Sequence, residues 1–149
     1  MKLSTKGRYG ARLMLDLALH YANGNGSMLL KDVAQRQEIS EKYLGHLMPS
    51  LKAAGLINSS RGAHGGYSLA RAPKDITLGE VIRAVEGNLA LVECVATPRI
   101  CHRVDSCVTR DIWSLMSEKM SEVLDSTTLQ DMINQQRQKQ KSHSLMYAI

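Results

Sequence analysis

The feature that most constrains the fold is a change of hydrophobic period between residues 1 and 70. Apolar residues recur at helical spacing in three short stretches, and two short strand patterns follow over residues 56–60 and 67–70. The glycine-rich turn RGAHGG separates the two strands. Three short helices followed by a two-stranded hairpin are the parts of a winged helix-turn-helix. The sequence therefore predicts a mainly α fold with a small two-stranded β wing.

Residues with special backbone or capping properties indicate where the predicted helices begin and end. Ser40 and Thr77 are suited to cap the third and fourth helices. The NGNG run at residues 23–26 predicts the turn that ends the first helix. Pro49 lies inside the third helix and is expected to kink or divide it near His46, because proline lacks a backbone N–H and its ring clashes with the preceding turn.

The chain divides by pattern into four segments. Residues 1–86 are predicted to form a winged helix-turn-helix domain, and residues 87–107 a cysteine-bearing loop. Residues 108–135 are predicted to form a dimerisation helix and a short last helix, and residues 136–149 a polar tail that is expected to be disordered. The long helix has an apolar face that one small domain cannot cover, made by Ile112, Met116, Met120 and Val123. Because such a stripe normally marks an interface, we expect a homodimer.

The charge of the chain is concentrated in its first half. Residues 1–74 contain eleven Lys/Arg and four Asp/Glu, a balance of +7, whereas residues 75–149 contain eight and ten, a balance of −2. A basic half is typical of proteins that bind DNA or RNA, although a solvated surface is the simpler alternative. The residues expected at DNA are Ser40, Lys42, Tyr43 and His46 in the third helix, Arg61 and His64 in the wing, and Lys6 and Arg8 near the N-terminus.

Several classes of protein are disfavoured by the sequence. The apolar stretch from Leu13 to Ala22 is interrupted by charged and polar residues, so neither a membrane helix nor a signal peptide is expected, and the cytoplasm is the default location. No Gly-Lys-Ser/Thr follows the glycine-rich turn, which argues against a nucleotide-binding loop. Cys101 and His102 are adjacent, but no third group orients them, so no enzyme is expected.

The three cysteines, Cys94, Cys101 and Cys107, lie in one aperiodic segment that leads into the long helix. An odd number of cysteines argues against a disulfide scaffold. Thiolates are soft ligands, and three at loose spacing suit an iron–sulfur cluster better than structural zinc, which favours tight pairs. A cluster-free thiol switch remains open, because nearby arginines lower the pKa of a thiol, and inert thiols are the simplest alternative. The second hypothesis for the function is a cluster-free, thiol- or metabolite-responsive regulator that acts through protein partners.

Five stretches of the sequence, taken together with the cysteine triplet, resemble one family. They are LSTKGRY at 3–9, ISEKYL at 39–44, RGAHGGY at 61–67, GEVIRAVE at 79–86 and CVTRDIW at 107–113. The family is the Rrf2 family of bacterial winged-helix regulators, in particular its iron–sulfur regulators of the IscR and NsrR type. The resemblance implies a homodimeric repressor that binds pseudo-palindromic double-stranded DNA. It also implies an iron–sulfur cluster on the three cysteines, with [2Fe–2S] favoured over [4Fe–4S], and a role in regulating cluster-biogenesis genes.

The sequence departs from that pattern at three positions. Arg110 stands where IscR-type proteins have a ligand His, and Arg8 stands where NsrR-type proteins have a ligand Asp. Gly45 replaces a recognition-helix Glu that helps IscR-type proteins separate two operator types. The fourth cluster ligand is therefore open. The candidates are His102, Asp105, Asp111 and Glu93 near the cysteines, and Asp16 and His20 through folding or across the dimer.

Overall fold

The computed structural model describes residues 1–21, 26–63 and 65–148. The helices are α1 (Thr5–Leu19), α2 (Leu30–Gln37), α3 (Glu41–Ala53), α4 (Leu78–Glu86), α5 (Glu93–Ala96), α6 (Val108–Ser126) and α7 (Leu129–Tyr147), and the strands are β1 (Ile57–Ser60) and β2 (Gly66–Leu69). The predicted mainly α fold with a two-stranded wing is confirmed. None of the helices in these described ranges is both long and apolar enough to span a bilayer.

Side-chain caps fix the starts of α3 and α4 at the predicted residues. The Ser40 hydroxyl accepts the N–H of Tyr43 at 3.0 Å and so begins α3. Thr77 begins α4 with a reciprocal capping box, in which its hydroxyl accepts the Glu80 N–H while the Glu80 carboxylate accepts the Thr77 N–H. Each such cap pairs backbone N–H groups that a helix start would otherwise leave unsatisfied.

The core is aliphatic, as expected of a chain without phenylalanine. It joins one face of α1 to α3, α4, the wing and the start of α7. Its buried side chains include Leu13, Met14, Leu17, Leu44, Leu51, Ile57, Leu69, Val81, Leu129 and Ile133. The first turns of α7 are thus part of the same core as the winged domain.

The wing is an antiparallel hairpin whose pairing runs from Ile57 opposite Leu69 to Ser60 opposite Gly66. Gly66 has a φ of 150°, and a Cβ there would lie 2.5 Å from the Met28 carbonyl oxygen, so this position requires glycine. Met28 and Tyr67 exchange two backbone hydrogen bonds of 2.8 Å, which tie the segment before α2 to the wing.

Two predictions about helix limits were wrong. Pro49 does not divide α3, which runs unbroken from Glu41 to Ala53. The last helix is not short, since α7 continues through the residues expected to form a disordered tail as far as Tyr147. Neither proline nor glycine occurs between Leu129 and Tyr147, and Gln and Lys are good helix formers, so the helix continues without an apolar face. Most of the predicted turn at 23–26 lies outside the described residues.

Candidate DNA-binding surface and cysteine segment

The start of α3 forms an exposed polar surface. Glu38 adopts a left-handed conformation, with φ of 53°, and this turn joins α2 to α3. Ser40, Lys42 and His46 are exposed, as expected of residues that meet DNA. Tyr43 is only half-buried, and its ring meets that of Tyr9 edge-on with centroids 5.4 Å apart. Tyr43 is therefore shared between the core and this surface.

The first turn of α1 lies beside the start of α3. Lys6 and Arg8 are exposed, and the Arg8 guanidinium lies 5.8 Å from the centre of the Tyr9 ring. Because Tyr9 in turn contacts Tyr43, Arg8 and the start of α3 share one surface. The wing adds Arg61, which is exposed at the end of β1, while His64 lies outside the described residues.

A network around Asp16 holds the helix-turn-helix in place, and the sequence reasoning missed it. Asp16 is only 2% exposed, and its carboxylate accepts two hydrogen bonds from Arg36 and one from the Gln37 amide. Arg12 in turn donates to the side-chain and backbone oxygens of Gln37. The available signal was an acidic residue at a core position of the α1 pattern, because a buried charge requires a partner.

The cysteine segment joins the end of α4 to the start of α6 and contains only short elements. Cys94 lies in α5, Cys101 follows a 3-10 turn, and Cys107 is the residue before α6. All three thiols are half-buried and free of disulfides. Within residues 1–21, 26–63 and 65–148, no three His, Cys, Asp or Glu side chains are close enough to hold a metal ion. The cysteines are therefore not gathered into a ready-made site.

Two contacts define the end of this segment. The Thr109 hydroxyl lies 3.3 Å from the Cys107 sulfur and, together with the backbone N–H of Arg110, holds the pKa of this thiol below its ordinary value. The Arg110 side chain donates from Nε to the Cys94 carbonyl oxygen at 3.1 Å. Arg110 therefore braces α5 against the first turn of α6.

Comparison with known proteins identifies the family. The Rrf2 profile, described as an iron-dependent transcriptional regulator, matches residues 3–135. The chain belongs to the Rrf2 family. Protein rrf2 of Nitratidesulfovibrio vulgaris is 44% identical over 133 residues, which cover 89% of this chain and 87% of that protein.

Two solved structures share the fold of this Rrf2 protein. T. potens IscR superposes with a TM-score of 0.77 at 42% identity, covering 94% of this chain and 91% of that one. CymR, described as the global cysteine regulator of B. subtilis, gives a TM-score of 0.73 at 41% identity, covering 89% and 95%. This Rrf2 protein is therefore a winged-helix, DNA-binding transcriptional regulator and not an enzyme.

The donors of this Rrf2 regulator fit a cluster by chemistry, since three free thiols lie in one segment. Asp16 is excluded as a fourth ligand, because its carboxylate is buried and already bound by Arg36 and Gln37. The Nδ1 of His20, the residue that caps the end of α1, lies 2.8 Å from the backbone oxygen of Asp16. The remaining candidates are all exposed, namely Glu93, His102, Asp105 and Asp111.

Proposed function

We propose that this Rrf2 regulator is a homodimeric repressor whose operator affinity is controlled by an iron–sulfur cluster held by Cys94, Cys101 and Cys107, at genes for cluster biogenesis. The observation that carries the proposal is the presence of three free, half-buried thiols in the one segment that links the winged domain to α6. Likeness to T. potens IscR, and to a family described as iron-dependent, supports it.

Cluster binding would require the cysteine segment to close around the ligand. Its backbone is held by a four-residue helix and two 3-10 turns, and none of its residues is fully buried, so rearrangement would disrupt little packing. With three cysteines, the fourth ligand is an oxygen or nitrogen donor, a small molecule or a group from the second subunit. A [2Fe–2S] cluster remains our preferred type.

Dimerisation would use the exposed apolar face of α6. Ile112 is 49% exposed, Met120 37% and Val123 65%, and Met116 lies between them at half burial. A second α6 laid across this face would cover it and give a dimer with two copies of α3. The operator would then be pseudo-palindromic, with half-sites about one helical turn, or a multiple of it, apart.

The cluster proposal is tested by anaerobic purification followed by iron, sulfide and visible-absorbance measurements. We expect a brown protein, and we expect Cys94→Ala, Cys101→Ala and Cys107→Ala each to lose the visible spectrum. Ser106→Ala is the matched control, because Ser106 is an exposed residue of similar size beside Cys107. Full iron and sulfide content in any single cysteine variant would contradict the proposed ligation.

A cluster-free thiol regulator is the second candidate function. It is favoured by the lowered pKa of the Cys107 thiol, which Thr109 and the backbone of Arg110 stabilise as thiolate, and by the likeness to CymR. A colourless protein whose operator affinity changes on thiol oxidation, and returns on reduction, would establish this candidate in place of the first. Fluorescence anisotropy with a labelled operator measures that change.

A further inference from the structure

The Glu86 carboxylate links the end of α4 to the start of α1 by hydrogen bonds. Glu86, the last residue of α4, accepts the Gly7 N–H at 2.9 Å and also accepts the Ser4 hydroxyl. The first turn of a helix leaves N–H groups unpaired and carries partial positive charge. The Glu86 carboxylate therefore both pairs and neutralises the N-terminus of α1, in addition to the Ser4 cap.

Glycines at two successive turns of α1 allow this close approach. A Cβ on Gly7 would lie 2.8 Å from the Glu86 carboxylate oxygen, and one on Gly10 would lie 3.3 Å from a methyl group of Val85. Both glycines are buried. A larger side chain at Gly7 would displace the Glu86 carboxylate, so the two helix ends can pack this closely only with glycine at this position.

This junction lies between the cysteine segment and the DNA-binding surface. Gly87 follows Glu86 directly with φ of 87°, and the cysteine segment begins there. On the other side, the first turn of α1 carries Lys6 and Arg8, and continues to Tyr9, which contacts Tyr43 of α3. A displacement of the end of α4 would therefore also displace Lys6 and Arg8, the basic residues expected to contact DNA.

We propose that Glu86 is a positioning residue that couples the state of the cysteine segment to the DNA-binding surface. Rearrangement of residues 87–107 changes the position of Glu86, and the loss or shift of its contacts with Ser4 and Gly7 loosens the first turn of α1. The proposal rests on the proposed function only in taking the cysteine segment as the sensor. It holds for a cluster and for a thiol signal alike.

The test uses the full chain and a probe that does not depend on iron. Iodoacetamide alkylates the three thiols, and hydrogen exchange of residues 4–9 is measured before and after, with operator affinity by anisotropy. In the wild type we expect alkylation to speed exchange in this turn and to change affinity by about fivefold or more, which is a typical size for coupling between two sites. In Glu86→Ala we expect fast exchange from the start and an affinity that alkylation no longer changes.

Two further variants separate coupling from a merely structural role. Glu86→Gln keeps an acceptor for Ser4 and Gly7 without the charge, so we expect it to retain the response to alkylation in part. Asp75→Ala removes an exposed carboxylate elsewhere and is expected to respond as the wild type does. An unchanged alkylation response in Glu86→Ala, or no response of residues 4–9 in the wild type, would overturn the coupling proposal. A colourless wild type that still responds would overturn only the cluster.

Discussion

Replacing Asp16 with Asn tests whether a buried ion pair fixes the helix-turn-helix. The Asp16 carboxylate accepts hydrogen bonds of 3.1 and 2.6 Å from Arg36 and one of 2.8 Å from Gln37. Asn keeps the size of the side chain but removes the charge and one acceptor. Its amide N–H₂ also faces the donors of Arg36, so at least one of the three bonds is lost.

The magnitude follows from the unequal burial of the two partners. Removing one partner of a fully buried pair costs about 3–5 kcal/mol. Here Asp16 is 2% exposed but the Arg36 side chain is 35% exposed, so the released guanidinium regains water. We therefore expect a loss of about 2–3 kcal/mol, somewhat below the fully buried case. For a chain of this size that lowers Tm by about 4–12 °C.

The Arg83–Asp125 pair, which joins α4 to α6, provides a matched control. Arg83 and Asp125 form the same two-pronged pair, at 2.5 and 2.8 Å, but their side chains are 40% and 46% exposed. Exposed pairs contribute less than about 1 kcal/mol, so Asp125→Asn is expected to be nearly neutral. Urea unfolding of both variants gives the comparison. Equal losses in Asp16→Asn and Asp125→Asn would refute the reasoning from burial.

Three further outcomes are expected. Arg61→Ala should weaken operator binding by about 1–3 kcal/mol in an anisotropy titration, and an unchanged affinity would remove the wing from the DNA contact. Val123→Asp should shift the protein from dimer to monomer in analytical ultracentrifugation, whereas Leu145→Asp, an equally exposed apolar position on α7, should not. The hydrogen bond from Arg83 lowers the pKa of Asp125. The contribution of the ionised Asp125 to the stability of the fold is therefore complete above the ordinary aspartate pKa, and it is lost as the pH falls through the lowered pKa. The acid-induced loss of stability should accordingly be smaller in Asp125→Asn, by less than about 1 kcal/mol because the pair is exposed, and an identical pH profile would contradict this.

The sequence was most informative where a local pattern determines the structure. Ser40 and Thr77 cap helices because their hydroxyls accept hydrogen bonds from backbone N–H groups in the first turn of the helix. This interaction is local and does not depend on the rest of the fold. The wing could be predicted because the hydrophobic period changes from helical to strand-like on both sides of the glycine-rich turn. The exposed apolar face of α6 could also be predicted, because its apolar residues recur at helical spacing and a small winged domain has too little surface to cover them.

The features that escaped prediction depend on partners distant in sequence. The Asp16–Arg36 ion pair joins α1 to α2, and the residues next to Asp16 in the sequence do not indicate that Arg36 is its partner. The role of Glu86 depends on a helix start 82 residues earlier. The separation of the three cysteines could not be deduced either, since aperiodic segments carry no register. The length of α7 was underestimated because helix propensity alone, without an apolar face, extends it.

The junction of α6 and α7 determines how the long helix can move. The Leu78 N–H bonds to the Thr127 oxygen at 2.8 Å and the Leu129 N–H to the Ile76 oxygen at 2.9 Å, so the chain is stitched to the winged domain immediately after α6 ends. At its other end, α6 contacts the cysteine segment, because Arg110 donates to the Cys94 carbonyl oxygen and the Leu91 N–H donates to the Ser117 hydroxyl. The long helix is therefore hydrogen-bonded to the winged domain at one end and to the cysteine segment at the other, so it links these two parts of the chain directly.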